Sequence, residues 1–114
     1  MDKSSSQRVV ITGLGVVSPL GNDPDLLLQS LHDGVSAIGP FTRVPQGVLC
    51  TDYGAEASGF TGDISDYGPM DKKLQRTIRK GSKVMSREIE MGVAVAQLAL
   101  NDSNLTAETR DRDR

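Results

Sequence analysis

The stretch 89–100 sets the tightest limit on what this chain can fold into. At about 100° per residue, Ile89, Met91, Val93, Ala94, Val95, Ala96, Leu98, Ala99 and Leu100 point all round a helix. A helix that is apolar on every side needs cover on every side, from a large core or from a membrane. The run falls short of the roughly 18 apolar residues that a membrane span requires, so the core reading is the one that stands. A second segment makes the same demand. Residues 8–17, RVVITGLGVV, are β-branched and short, and Ser18-Pro19 and Gly21 stop them, so they read as a strand. Val9 and Ile11 lie on one parity, and Val10, Leu14 and Val16 on the other. A strand apolar at both parities is covered on both faces, as in the middle of a layered α/β sheet.

The chain has 114 residues, room for one small domain. A domain of that size buries only a modest fraction of its surface. The two apolar segments ask for more protein around them than the remaining residues supply. The sequence therefore predicts part of a larger fold, or a truncated copy of one.

Composition narrows the function. Charged residues make up 25% and the net charge is −2, which excludes wholesale disorder and a dominantly cationic nucleic-acid binder. Cys50 is the single cysteine and His32 the single histidine, so an internal disulfide, a cysteine-based zinc site and a histidine-rich metal site are excluded. The opening residues are polar and lack a clean apolar stretch, unlike a signal peptide. A cytoplasmic protein is expected, with no cofactor, no metal, no nucleic-acid partner and no membrane contact.

Local signals place the other elements. Asp23 precedes Pro24, which suits an N-cap followed by proline at the first helical position. Leu27, Leu28 and Leu31 make an apolar stripe, His32 falls in the last turn, and Gly34 suits a left-handed C′ position. Residues 39–70 are rich in glycine and proline and read as loops, with short strands near Val48–Cys50 and Tyr53–Ala57. A long helix is expected from about Lys72 to about Asn101, with Gly81 as a possible break. Residues 1–7 and 107–114 are expected to be disordered, and 8–106 to form a partial domain.

Charge is unevenly spread. Residues 71–87 carry seven basic groups and one acidic group, between two acidic stretches. On one continuous helix Arg76, Arg79, Lys80, Lys83 and Arg87 fall within about 80° of Lys72, opposite Leu74, Ile78, Met85 and Ile89. Such a stripe is a solvated face, a docking face for an acidic protein, or a nucleic-acid face. The last reading is weakest, because only Tyr67 lies nearby as an aromatic.

Three other features have the look of sites. Gly13-Leu14-Gly15 after a strand resembles the start of a dinucleotide fingerprint, but Val16-Val17-Ser18-Pro19 supplies no helix N-terminus for a pyrophosphate, and the third glycine is missing. Close packing of a strand that lacks side chains at two points is the better reading. Cys50 has no glycine elbow or helix start beside it to activate a thiolate, and ordinary burial is expected. His32 suits a partner of the helix dipole more than a catalytic base.

Residues 8–22, RVVITGLGVVSPLGN, resemble the opening of a β-ketoacyl-acyl-carrier-protein synthase, the condensing enzyme of fatty acid and polyketide synthesis. Leu31-His32-Asp33-Gly34-Val35-Ser36-Ala37-Ile38, Phe41 and Ala99-Leu100-Asn101-Asp102-Ser103-Asn104-Leu105 continue the likeness, which runs from about Arg8 to about Thr106. The resemblance implies α/β architecture: an N-terminal fragment of a thiolase-like layered fold with one core strand, a short helix, a Gly/Pro-rich loop region and one long helix. It implies decarboxylative Claisen condensation of a malonyl thioester on carrier protein, and a family that is usually homodimeric. The family's cysteine nucleophile and two histidines lie downstream of every residue here. Neither Cys50 nor His32 matches them, so no catalytic residue carries over. What does carry over is a basic surface for the acidic acyl carrier protein: Lys80 and Lys83, with Arg79 and Arg76 adjacent. The chain alone is expected to be catalytically incompetent. The alternatives are a non-enzymatic fragment that binds carrier protein or a ketosynthase, and a truncated reading frame without function.

Overall fold

The computed structural model describes residues 8–105. The elements run α1 (Pro24–His32), β1 (Gly39–Pro40), β2 (Tyr53–Gly54), a 3₁₀ turn (Ile64–Tyr67), α2 (Lys72–Ser82) and α3 (Arg87–Asp102). The expectations for residues 1–7 and 107–114 fall outside the described residues.

Helix α1 follows its local signals closely. The Asp23 carboxylate accepts from the amides of Asp25 and Leu26 at 2.9 and 3.2 Å, and Pro24 opens the first turn. At the other end Gly34 takes φ +68°. The amide of Gly34 donates to the Leu31 carbonyl and that of Val35 to Ser30. That pair of bonds is a Schellman cap, and it satisfies carbonyls the helix would otherwise leave open.

The core sits elsewhere, where the 3₁₀ turn, α2 and α3 converge. Phe60, Tyr67, Ile78 and Ala94 are buried, with Val17, Ile64, Met70, Leu74, Met91 and Val93 packed around them. The Phe60 and Tyr67 rings meet edge to face, with centroids 6.1 Å apart, the arrangement that their quadrupoles favour. The Asp66 carboxylate holds the approach to this cluster by accepting from the Thr61 amide and hydroxyl and from the Gly62 amide, at 2.7, 2.8 and 2.9 Å.

Residues 8–17 do not form the expected core strand. No backbone ladder joins them to another segment among the described residues. They do run alongside α3. A Cβ on Gly13 would strike Ala99 and Ser103, and one on Gly15 would strike Val95 and Ala99. Two residues along this segment therefore match four along α3. Two extended residues cover about 6.6 Å and four helical ones about 6 Å, so the segment is extended and antiparallel to the helix. The Leu14 amide donates to the Asp102 carboxylate at 2.8 Å and ties the two together. On the other parity, Leu14 and Val16 face Leu27, Leu28 and Leu31 of α1 across a groove of about 420 Å³. The cover that the sequence demands is thus only partial: Val9, Val10, Ile11 and Leu14 stay more than half exposed, and the segment lacks paired neighbours along its edges.

Two other expectations are corrected. The long helix is two helices: residues 83–86 leave the helical path and α3 restarts at the Ser86 N-cap. Of the short strands, Tyr53–Gly54 forms and pairs antiparallel with Gly39–Pro40. Residues 48–50 form no strand, because nothing among the described residues offers them an edge. The pairing that does form is clamped by Glu56, whose carboxylate accepts from the Thr42 amide and hydroxyl and from the Arg43 amide.

The shortage of cover is measurable. Among the described residues Val9, Ile11, Leu28 and Leu31 are 96%, 83%, 67% and 60% exposed.

Candidate functional site

The basic face is built on α2. Asp71 caps the helix by accepting from the Leu74 amide at 2.8 Å. Leu74 and Ile78 turn into the core cluster, which fixes the helix's rotation about its axis. Arg76, Arg79 and Lys80 are thereby left on the exposed side, with Lys83 exposed at the C-cap. Arg79 and Lys80 in the last turn also suit the negative end of the helix dipole. The shortest ion-pair distance among the described residues lies far away, between His32 Nδ1 and Asp33 Oδ1 at 3.3 Å. No carboxylate of the described residues pairs with the α2 cations.

Arg87 does not belong to this face. The wheel that placed it there assumed one continuous helix, and the four residues between α2 and α3 break the phase. Arg87 turns inward. Its guanidinium donates to the carbonyls of Ala57 and Phe60 at 3.0 and 2.8 Å and stacks 5.4 Å from the Phe60 ring centre. It ties the loop before the 3₁₀ turn to the start of α3. Its place directly after Ser86, the N-cap of a second helix, is the local signal that separates it from the lysines and arginines of α2.

The other residues singled out by sequence are scattered. Cys50 is exposed, against the expectation of burial, on a loop that no element covers. His32 is exposed at the end of α1, beside Asp33. Hydrogen bonds from Gln29 and then His32 hold the Asp33 carboxyl below its ordinary range. Cys50 and His32 are not brought together by any contact, so the arrangement offers no nucleophile with a base. Gly13 and Gly15 lie flush on α3, and Pro19 and Leu20 form a turn closed by the Ser18–Gly21 bridge. No helix begins at the glycines, so the close-packing reading holds over the nucleotide reading.

Sequence reasoning missed Tyr67. Its side chain is 1% exposed and its hydroxyl has no partner among the described residues. Burial, followed by the charges of Glu90 and Asp66, pushes the phenol above its ordinary range. No helix of the described residues is long and apolar enough to cross a membrane.

The beta-ketoacyl synthase N-terminal domain family model matches residues 6–114. The chain is 48% identical over 99 residues to the 3-oxoacyl-[acyl-carrier-protein] synthase 2 of Coxiella burnetii, a match covering 87% of the chain and 21% of that protein. It is 33% identical over 113 residues to the synthase of the same name from Synechocystis, covering 99% of the chain and 24% of that protein. With the Staphylococcus aureus synthase it shares 32% identity over 100 residues, covering 88% and 23%. The chain thus spans about a quarter of the length of these relatives.

Proposed function

The chain belongs to the beta-ketoacyl synthase N-terminal domain family, and on that premise we propose that it is the scaffolding beginning of a thiolase-like condensing enzyme. The whole enzyme would join a malonyl thioester on acyl carrier protein to an acyl thioester, with loss of carbon dioxide, in fatty acid or polyketide synthesis. The observation that carries the reading is the seating of Gly13 and Gly15 on α3. It lays residues 13–15 of an extended segment flush on a helix, packing of the kind that a strand of a layered α/β sheet makes, and this supports the reading.

The 114 residues alone do not condense substrates. The family's cysteine and histidines have no counterpart here, and Cys50 and His32 stand apart on exposed loops and helix ends. A purified chain given radiolabelled malonyl-carrier protein and an acyl thioester is expected to give no turnover above blank. Turnover would overturn this part of the proposal.

The function that these residues retain is to receive the carrier protein. Arg76, Arg79, Lys80 and Lys83 present contiguous positive charge without internal acidic partners among the described residues. Like charges three or four apart on a helix repel by about 0.2–0.5 kcal/mol a pair, and an acidic partner relieves that repulsion. Complementary charge of this kind raises the rate of encounter more than the final affinity. The same face supports the second reading, a non-catalytic fragment that holds carrier protein. Lys80→Glu with Lys83→Glu should weaken capture of acyl carrier protein at low salt. Unchanged capture would remove the docking assignment and leave the family membership intact.

A further inference from the structure

The large apolar side chains left in water lie mainly between Val9 and Tyr53, outside the enclosed cluster. Val84 is different. It is 88% exposed, yet it stands at the corner between α2 and α3, the helices that carry Ile78 and Ala94 into the core. The corner is held from within. The Val84 amide donates to the Gly81 carbonyl and the Met85 amide to that of Ser82, at 3.1 and 3.2 Å. Met85 folds back over Gly81, where a Cβ would meet its methyl group at 3.0 Å, and α3 restarts at the Ser86 N-cap. Met85 is thereby turned toward the helices, and Val84 away from them.

The surroundings of Val84 are cationic. Lys83 precedes it directly, and Arg79 and Lys80 fill the last turn of α2, all three exposed. An apolar side chain beside a group of cations fits a partner surface that sets an apolar residue among carboxylates. Protein interfaces divide the work in this way: an apolar centre stripped of water holds the complex, and charges at the rim guide the approach. A nucleic-acid backbone would answer the cations but leave Val84 in water. An acidic protein helix answers both.

We propose that Val84 is the apolar anchor of the carrier-docking face. It packs against an apolar side chain on an acidic helix of the acyl carrier protein and sets how long the complex lasts, while Arg79, Lys80 and Lys83 set how fast it forms. The inference rests on the docking reading and adds to it a contact that salt does not screen.

Association and dissociation of the full chain on immobilised acyl carrier protein, followed at low and at high salt, test the proposal. Val84→Ser should raise the dissociation rate constant about tenfold at both salt concentrations, the loss expected when a buried valine gives way to a polar side chain. It should leave the association rate constant unchanged. Val84→Leu should keep the slow dissociation. Lys80→Glu with Lys83→Glu should lower the association rate constant at low salt and much less at high salt. Helical circular dichroism should be the same in Val84→Ser as in the unaltered chain, since the side chain is exposed; its loss would overturn the placement on which the inference stands. Unchanged dissociation in Val84→Ser, or an effect confined to low salt, would overturn the anchor and leave the docking reading standing. An association rate indifferent to the lysine reversals, or no binding by the unaltered chain, would overturn the docking reading and this inference with it.

Discussion

The cluster around Tyr67 and the segment 8–17 have similar apolar character and opposite fates. Around Tyr67, a 3₁₀ turn and two helices converge, and Phe60 and Tyr67 are fully enclosed. Along 8–17, α3 and α1 each lie to one side, and Val9 and Ile11 remain almost wholly in water. An apolar sequence states a demand for cover, and the neighbouring elements decide whether it is met. In this chain the demand is met only where three elements within about 40 residues fold over one another. Extended backbone with no paired neighbour among the described residues keeps most of its edge groups open.

Substitutions in the two regions should separate them. Tyr67→Ala empties the centre of the enclosed cluster and should cost about 3–5 kcal/mol, in the manner of other aromatic truncations. That is enough to abolish the helical circular dichroism of so thinly covered a chain. Retained helicity would mean that α2 and α3 do not depend on this core. Gly15→Ala puts a Cβ against the backbone of Val95 and Ala99, which cannot retreat as a side chain can. The expected cost is about 1–3 kcal/mol. It should appear as loss of nuclear Overhauser contacts between residues 13–15 and α3, with the Tyr67 cluster intact.

Acid should act on the enclosed region first. Partial burial raises the Asp66 carboxyl, but hydrogen bonds from the Thr61 hydroxyl and amide and the Gly62 amide outweigh it, and the net shift is downward. A carboxyl depressed in the folded state adds stability above its unfolded value, near 3.8, and that stability is lost as pH falls through the folded value. Helical signal should therefore fall at the acid end of a titration, and Asp66→Asn should flatten that fall. Tyr67→Phe should be neutral or slightly stabilising in thermal melts, since it removes a buried hydroxyl that has no partner. A loss above about 1 kcal/mol would show that the hydroxyl is bonded in solution. At the far end of the scale, Val9→Ser on the bare segment should change the stability of the monomer by less than about 0.5 kcal/mol.

Legibility followed the range of the interactions. Helix α1 could be read to the residue, because Asp23, Pro24 and Gly34 act within one turn of where they stand. The α2 face could be read because Leu74 and Ile78 set its rotation over a single short helix. Arg87 could not, since four non-helical residues at 83–86 erase the phase that a wheel carries forward. The Asp66 hub was hidden in a glycine-rich stretch that reads as loop, although the pairing of Thr61-Gly62 with an aspartate four residues on is a local signal for such a turn. Segment 8–17 was legible as a demand for two covered faces, and the structure meets it in part: α3 lies against Gly13 and Gly15, while Leu14 on the α1 side stays 55% exposed. Its failure to pair was not legible, because pairing is decided by distant partners.

Hydrogen exchange resolved by residue, at dilutions where the chain is monomeric, tests the central claim most directly. Stability concentrated around Tyr67 predicts slow amides in the middle of α3 and at Ile78, and amides at Val9, Val10 and Ile11 that exchange at nearly the rate of free peptide. Equal protection of both regions in the monomer would contradict it, since the extended segment would then be part of one cooperative, self-sufficient body.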